Sequence, residues 1–188
     1  MSAFGIGIDL GGTLIKGAAF DLASGDLLHE DVAPARDGEW EGGDPAFLFE
    51  IRQLLQRFEG RESRECSVVG VSSPGFANRE ASHIVSMPGR LEGLEGLEWP
   101  EALRRPAAVL NDAHAALMGE IWQGAASGVE DVILLTLGTG VGGAIVTEGR
   151  LLQGHFGKGG HLGHASLDLN GETDICGMPG ALEDMIGN

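Results

Sequence analysis

The chain opens with short runs in which apolar and polar positions alternate, then shifts to a helical period. Residues 4–10 (FGIGIDL) alternate in part and stop at Gly11-Gly12. Residues 14–20 (LIKGAAF) end at the turn signal Ala23-Ser24-Gly25-Asp26, after which residues 27–32 resume an extended pattern. Connections this short predict antiparallel pairing of the strands, because a parallel return needs a longer crossover. Phe47, Ile51, Leu54, Leu55 and Phe58 then recur at helical spacing and predict a helix with one apolar stripe against the sheet. Asp44 is placed to cap it, with Pro45 at the first position, where a missing N–H costs nothing. Residues 59–65, charged and glycine-containing, end it.

Residues 67–72 (SVVGVS) predict a buried strand terminated by Pro74-Gly75, and residues 107–110 another, introduced by Pro106 and closed by Asn111-Asp112. Leu117 and Ile121, among the alanines of residues 113–125, predict a second helix. Residues 127–130 read as a hinge or domain boundary. Beyond it come a strand pattern at 131–137, a turn at 138–143 and a returning strand at 144–147, while residues 149–188 are glycine-rich and poor in periodic elements. This order predicts an α/β domain over residues 1–126 followed by the opening of a second over residues 127–188.

Composition narrows the function classes. A formal charge of −16 disfavours nucleic acid and anionic membrane as partners, and any phosphate site must lean on a cation and on oriented backbone amides. Cys66 and Cys176, the only cysteines, argue against a disulfide-dense scaffold. There is no signal-peptide pattern in the first residues and no apolar run of membrane-spanning length, so a cytoplasmic protein is expected. Glycine is abundant, at 32 residues, and gathers at turns such as Gly11-Gly12, residues 138–140 and residues 157–163, which reads as tight turns or close approaches of backbone to ligand.

Two of those turns can carry chemistry. In Asp9-Leu10-Gly11-Gly12-Thr13 the glycines can aim N–H groups at an anion, Asp9 can organise magnesium, and Thr13 can donate to a phosphate; an ordinary hairpin is the competing reading. Residues 137–143 (LGTGVGG) make a second such turn after the strongest strand, with Gly138, Thr139 and Gly140 at its tip. Between them, at a strand-to-helix junction, Asp112 can either cap a helix or accept the proton of a hydroxyl that attacks a terminal phosphate, while Asn111 orients a neighbouring hydroxyl.

Taken in order, residues 9–13 (DLGGT), 73–75 (SPG), 111–113 (NDA), 137–142 (LGTGVG) and 160–164 (GHLGH) resemble the ROK family, which holds bacterial glucokinases, kinases of fructose, N-acetylglucosamine and N-acetylmannosamine, and sugar-responsive repressors. The resemblance runs over essentially the whole chain. It implies an actin-like ATPase (ribonuclease H-like) α/β fold, with a complete first lobe and a partial second lobe closing on sugar and ATP. Asp112 would be the catalytic base. Gly75, Asn111, Asp112, His161, His164 and Glu183 would form the sugar site. Asp9, Gly11, Gly12, Thr13, Gly138, Thr139 and Gly140 would hold ATP and Mg²⁺, with Asp9 toward the metal. The implied reaction is ATP-dependent phosphorylation of a hexose or N-acetylhexosamine, and the alternative is a catalytically weak sugar-binding or regulatory module. A homodimer or other self-association is implied as well.

Two departures from the family pattern matter. His161 stands where the family carries a sugar-binding Glu, and imidazole does not reproduce a carboxylate's paired acceptors; a histidine that satisfies buried backbone groups is the bland reading. The family also holds a structural zinc with a His and Cys-x-Cys-Gly-x-x-Gly-Cys. Here His164 and Cys176 remain, Asp174 replaces one thiolate and Ala181 cannot coordinate, so no structural zinc is expected. Resembling kinases continue well beyond residue 188, with the rest of the second lobe and an adenosine-side segment. With the first phosphate motif starting at Asp9, a DNA-binding repressor is not the expected reading.

Overall fold

A computed structural model describes residues 2–87, 89–138 and 140–187. The chain divides into two compact units, residues 1–112 and residues 113–188. The division falls between residues 112 and 113, ahead of residues 127–130.

In the first unit, strands β1 (Phe4–Leu10), β2 (Leu14–Asp21) and β3 (Leu27–Pro34) form the expected antiparallel meander. A minor hairpin, β4 (Trp40–Glu41) and β5 (Asp44–Pro45), leads into helix α1 (Ala46–Glu62). Asp44 does not cap that helix. Its carboxylate pairs with Arg52 Nη1 at 2.5 Å, and Pro45 itself occupies the cap position in an extended conformation. The predicted stripe is buried as Phe47, Ile51, Leu54, Leu55 and Phe58. Ser63, in the left-handed region at φ 54°, terminates the helix.

Strand β6 (Val68–Ser73) then pairs parallel with β1. A short hairpin of β7 (Phe76–Ala77) and β8 (Ile84–Ser86) and helix α2 (Trp99–Leu103) lead to β9 (Ala107–Asn111), which pairs parallel with β6. The sheet order is β3-β2-β1-β6-β9, a mixed sheet with β1 at its centre. Phe4, Ile6, Ile8 and Leu10 of β1 join Val69, Val71, Val109 and the α1 stripe in one core. Burying a large aliphatic or aromatic side chain of this kind contributes roughly 1.5–3 kcal/mol.

Helix α3 (Asp112–Gln123) begins on the last residue of the first unit and continues in the second, where its Ala113 and Leu117 are buried with Ala144 and Val146. Strands β10 (Val132–Leu137), β11 (Val141–Thr147) and β12 (Arg150–Leu151) form an antiparallel meander. β11 begins at Val141, three residues before the expected returning strand, because Gly142 and Gly143 pair with Thr136 and Leu135. The turn therefore shrinks to residues 138–140. Ile133 and Leu137 of β10 face solvent at 65% and 64% exposure. A 3₁₀ turn (Leu162–His164) and helix α4 (Leu182–Ile186) complete the unit. No helix among the described residues is long and apolar enough to cross a membrane.

Candidate active site

In the first unit, three motifs converge because β1, β6 and β9 run parallel and adjacent. Their carboxyl ends share one edge of the sheet, with Asp9 in register with Ser72 and Ser73 in register with Asn111. In parallel α/β sheets that edge is where ligands bind. Asp9 is exposed there. One of its oxygens accepts from Ser72 Oγ at 3.1 Å, and Lys16 Nζ lies 3.7 Å from the other. A carboxylate with spare lone pairs in water suits Mg²⁺, a hard ion that keeps most of its waters and takes one or two protein oxygens.

The turn after Asp9 assigns its two glycines different tasks. Gly11 donates its N–H to the Leu14 carbonyl at 3.0 Å, and a β-carbon at Gly11 would lie 2.9 Å from that same oxygen. Tight backbone approach is its reason to be glycine. Around Gly12 the nearest atom to a would-be β-carbon is Arg90 Cδ at 3.7 Å, so local packing does not forbid a side chain there. Thr13 is exposed, and its carbonyl accepts from the Ala35 N–H at 2.9 Å. Arg90, which sequence reasoning passed over, stands beside this turn as an exposed cation.

Gly75 has φ 92°, and a β-carbon there would meet the Ser86 carbonyl at 2.6 Å. Only glycine fits. Asn111, 4% exposed, donates from Nδ2 to the Gly75 carbonyl at 2.9 Å, fixing the loop after β6 to the end of β9. Asp112 follows as the first residue of α3 and is exposed.

In the second unit the glycine-rich stretch packs against β11. A β-carbon at Gly143 would strike the Gly160 carbonyl, one at Gly160 would lie 2.9 Å from the Ile145 nitrogen, and one at Gly163 would strike the Val141 carbonyl. These glycines thus serve backbone-on-backbone contact, a reason different from ligand approach. His114, buried on α3, reaches the same loop: its Nε2 lies 2.8 Å from the Gly159 carbonyl, which can only accept, so Nε2 carries the proton. Its ring meets that of half-buried His161 edge-on, with centroids 5.7 Å apart. The sequence signal for His114 was weak, a polar residue on the apolar side of a helix.

At the β10–β11 turn, Gly138 donates its N–H to the Gly140 carbonyl at 2.9 Å. Thr139 lies outside the described residues. Glu183, on the first turn of α4, accepts from the Val141 N–H through Oε2 at 2.9 Å. His164 Nδ1 lies 2.9 Å from Asp174 Oδ2, and Asp174 Oδ1 accepts from the N–H groups of Cys176 and Met178, each at 2.8 Å. The Met178 N–H, then the His164 contact and the Cys176 N–H, hold the Asp174 carboxyl below the usual carboxylate range against its burial.

The donor atoms of His164, Asp174 and Cys176 lie within 4.8 Å of one another. The residue at the family's fourth ligand position, Ala181, is fully buried and offers no donor. Both oxygens of Asp174 already serve hydrogen bonds. This set does not fit a closed, four-ligand structural zinc.

The ROK family profile matches residues 5–188. The chain is 33% identical over 184 residues to a glucokinase of Halalkalibacterium halodurans, covering 95% of this chain and 54% of that one. It is 38% identical over 184 residues to an N-acetylmannosamine kinase of Citrobacter koseri, covering 95% and 59%. The solved structure of a ROK hexokinase from Thermus thermophilus matches at TM-score 0.80 and 32% identity, covering 98% of this chain and 60% of that one. The chain thus spans little more than half the length of these curated relatives. Its mixed sheet accords with the ROK and actin-like ATPase fold. On the match across residues 5–188, the chain belongs to the ROK family.

Proposed function

We propose that this protein provides the site for ATP-dependent phosphorylation of a hexose or N-acetylhexosamine hydroxyl, with Asp112 as general base. The observation that carries the reading is the shared carboxyl edge of β1, β6 and β9, which gathers Asp9 to Thr13, Gly75, Asn111 and Asp112 on one border of the first unit. The similarity to a glucokinase and to an N-acetylmannosamine kinase supports this substrate class.

In this reading the Asp112 carboxylate accepts the hydroxyl proton as the sugar oxygen bonds to the γ-phosphorus, and the bond from that phosphorus to the bridging oxygen breaks to release ADP. Mg²⁺, held through Asp9, supplies charge neutralisation at the phosphates when bound. Gly12 leaves room for the phosphate chain, and Arg90 adds positive charge beside it. Asn111, committed through its amide to Gly75, keeps the loop after β6 in place. His161, His164 and Glu183 recognise sugar hydroxyls from the second unit, and the turn at Gly138, Thr139 and Gly140 contacts phosphate. The remaining expectations, self-association and a cytoplasmic location, belong to this proposal.

The test is a coupled ADP-release assay with Mg²⁺–ATP and glucose, N-acetylglucosamine, N-acetylmannosamine or fructose. Turnover with at least one sugar is expected, and Asp112→Asn lowers it roughly 10²–10⁴-fold while sugar binding persists. Turnover of Asp112→Asn at the wild-type rate overturns the base. A second reading, sugar recognition without phosphoryl transfer, is favoured by His161, an imidazole standing in place of the family's carboxylate. Saturable sugar binding with no ADP release in any of the four sugars establishes that reading instead.

A further inference from the structure

The contact between Glu183 and Val141 joins two features assigned to different substrates. Glu183 belongs to the sugar site in the proposed function, and the turn before Val141 belongs to the phosphate site. Yet the Val141 N–H, at the first residue of β11, donates to Glu183 Oε2 at 2.9 Å. A β-carbon on Gly140 would strike that same oxygen, with the carboxyl carbon 3.0 Å away. Gly140 is therefore smooth because a carboxylate lies against it. The reach of Glu183 is set by backbone: the Leu182 N–H donates to the Ala165 carbonyl at 2.9 Å and the Gly187 N–H to the Glu183 carbonyl at 2.7 Å, which hold both ends of α4.

We propose that the Glu183 carboxylate is an internal occupant of the phosphate turn, displaced when sugar recruits it, so that sugar binding opens the turn to the triphosphate. The inference rests on the proposed function. One N–H cannot serve a carboxylate and a phosphate oxygen at once, and two anions at that spacing repel. A sugar hydroxyl that draws Glu183 away removes both obstacles, and linkage requires that triphosphate tighten sugar binding by the same factor. Glu183 would thereby act as a positioning residue for the donor substrate as well as a contact for the acceptor.

Calorimetry with Mg²⁺ and inorganic triphosphate as the probe, on the whole chain without sugar, tests this. Glu183→Ala and Glu183→Gln are expected to bind the probe more tightly than wild type, roughly 5- to 150-fold for Ala and less for Gln, whose neutral oxygen still accepts from Val141. Glucose or N-acetylmannosamine is expected to tighten the probe in wild type and to leave it unchanged in Glu183→Ala. Circular dichroism on both variants verifies the fold, Gln being of equal size. Equal probe affinity in all three proteins overturns the displacement and leaves the phosphate turn standing. Weaker binding in the variants only when Mg²⁺ is present also overturns it, and makes Glu183 a metal-side ligand instead. Absence of probe binding in every protein refutes the phosphate turn, and the displacement with it.

Discussion

The Asn111 side-chain amide donates to the Gly75 carbonyl at 2.9 Å, and this bond ties the end of β9 to a loop that only glycine can form. Asn111→Ala leaves that carbonyl without its partner in a part-buried site, a cost of about 1–3 kcal/mol. Gly75→Ala meets the Ser86 carbonyl head-on at φ 92° and should cost more than the Asn111 change. Denaturant midpoints measure both. Sugar phosphorylation should slow in Asn111→Ala beyond the stability loss, because a misplacement of about 1 Å of reacting groups costs on the order of 10²-fold in rate.

The two glycines of the first turn predict opposite phenotypes. Gly11→Ala presses a β-carbon against the Leu14 carbonyl and should destabilise by about 1–3 kcal/mol. Gly12→Val has space and should leave the melting temperature nearly unchanged while weakening Mg²⁺–ATP binding. Arg90→Ala should behave like Gly12→Val, with normal stability and weaker nucleotide. A Gly12→Val protein that binds nucleotide normally would remove the turn from the site.

Much of this arrangement was legible because alternation and short connections dictate it. The β1–β3 meander and the buried face of α1 follow from Ile6, Ile8, Leu10 and from Phe47 to Phe58. What escaped lies in contacts distant in sequence. Asp44 looks like a cap until Arg52, one helical stretch away, claims its carboxylate. Gly142 and Gly143 carry no hydrophobic signal, yet their backbone pairs with β10 and starts β11 early. Glu183 and Val141 are separated by most of the second unit, and no local pattern announces their bond. Ala113 and Leu117 pack with Ala144 and Val146, a choice of apolar partners that periodicity cannot make.

The segment from His164 to Glu183 is predicted to be stapled by the Asp174 carboxylate. Asp174→Ala removes the acceptor for His164 and for the N–H groups of Cys176 and Met178, and should lower the melting temperature and loosen the loop to proteolysis. A metal chelator should leave the wild-type melting temperature unchanged. Asp174→Cys combined with Ala181→Cys adds two thiolates to His164 and Cys176 and should take up one zinc per chain, with chelator sensitivity appearing alongside. Stoichiometric zinc in the wild-type protein, measured by elemental analysis, would refute the staple.

Acid should weaken the first unit through Asp31. Its carboxyl is held below the ordinary value of 3.8, first by the Arg57 guanidinium, which donates from Nε at 2.8 Å, and then by the Val32 N–H. The folded value lies below the unfolded one, so this contribution is complete above the ordinary carboxylate value and is lost as pH falls through the lowered one. Both partners are partly exposed, at 25% for Asp31 and 40% for Arg57, which limits the pair to about 0.2–1 kcal/mol. Asp31→Asn should therefore melt slightly lower than wild type at neutral pH and converge with it once the wild-type carboxyl is protonated. Melting curves of both proteins across that range decide the matter: a gap that persists undiminished in acid would mean that packing around β3 and α1, rather than the charge on Asp31, sets the difference.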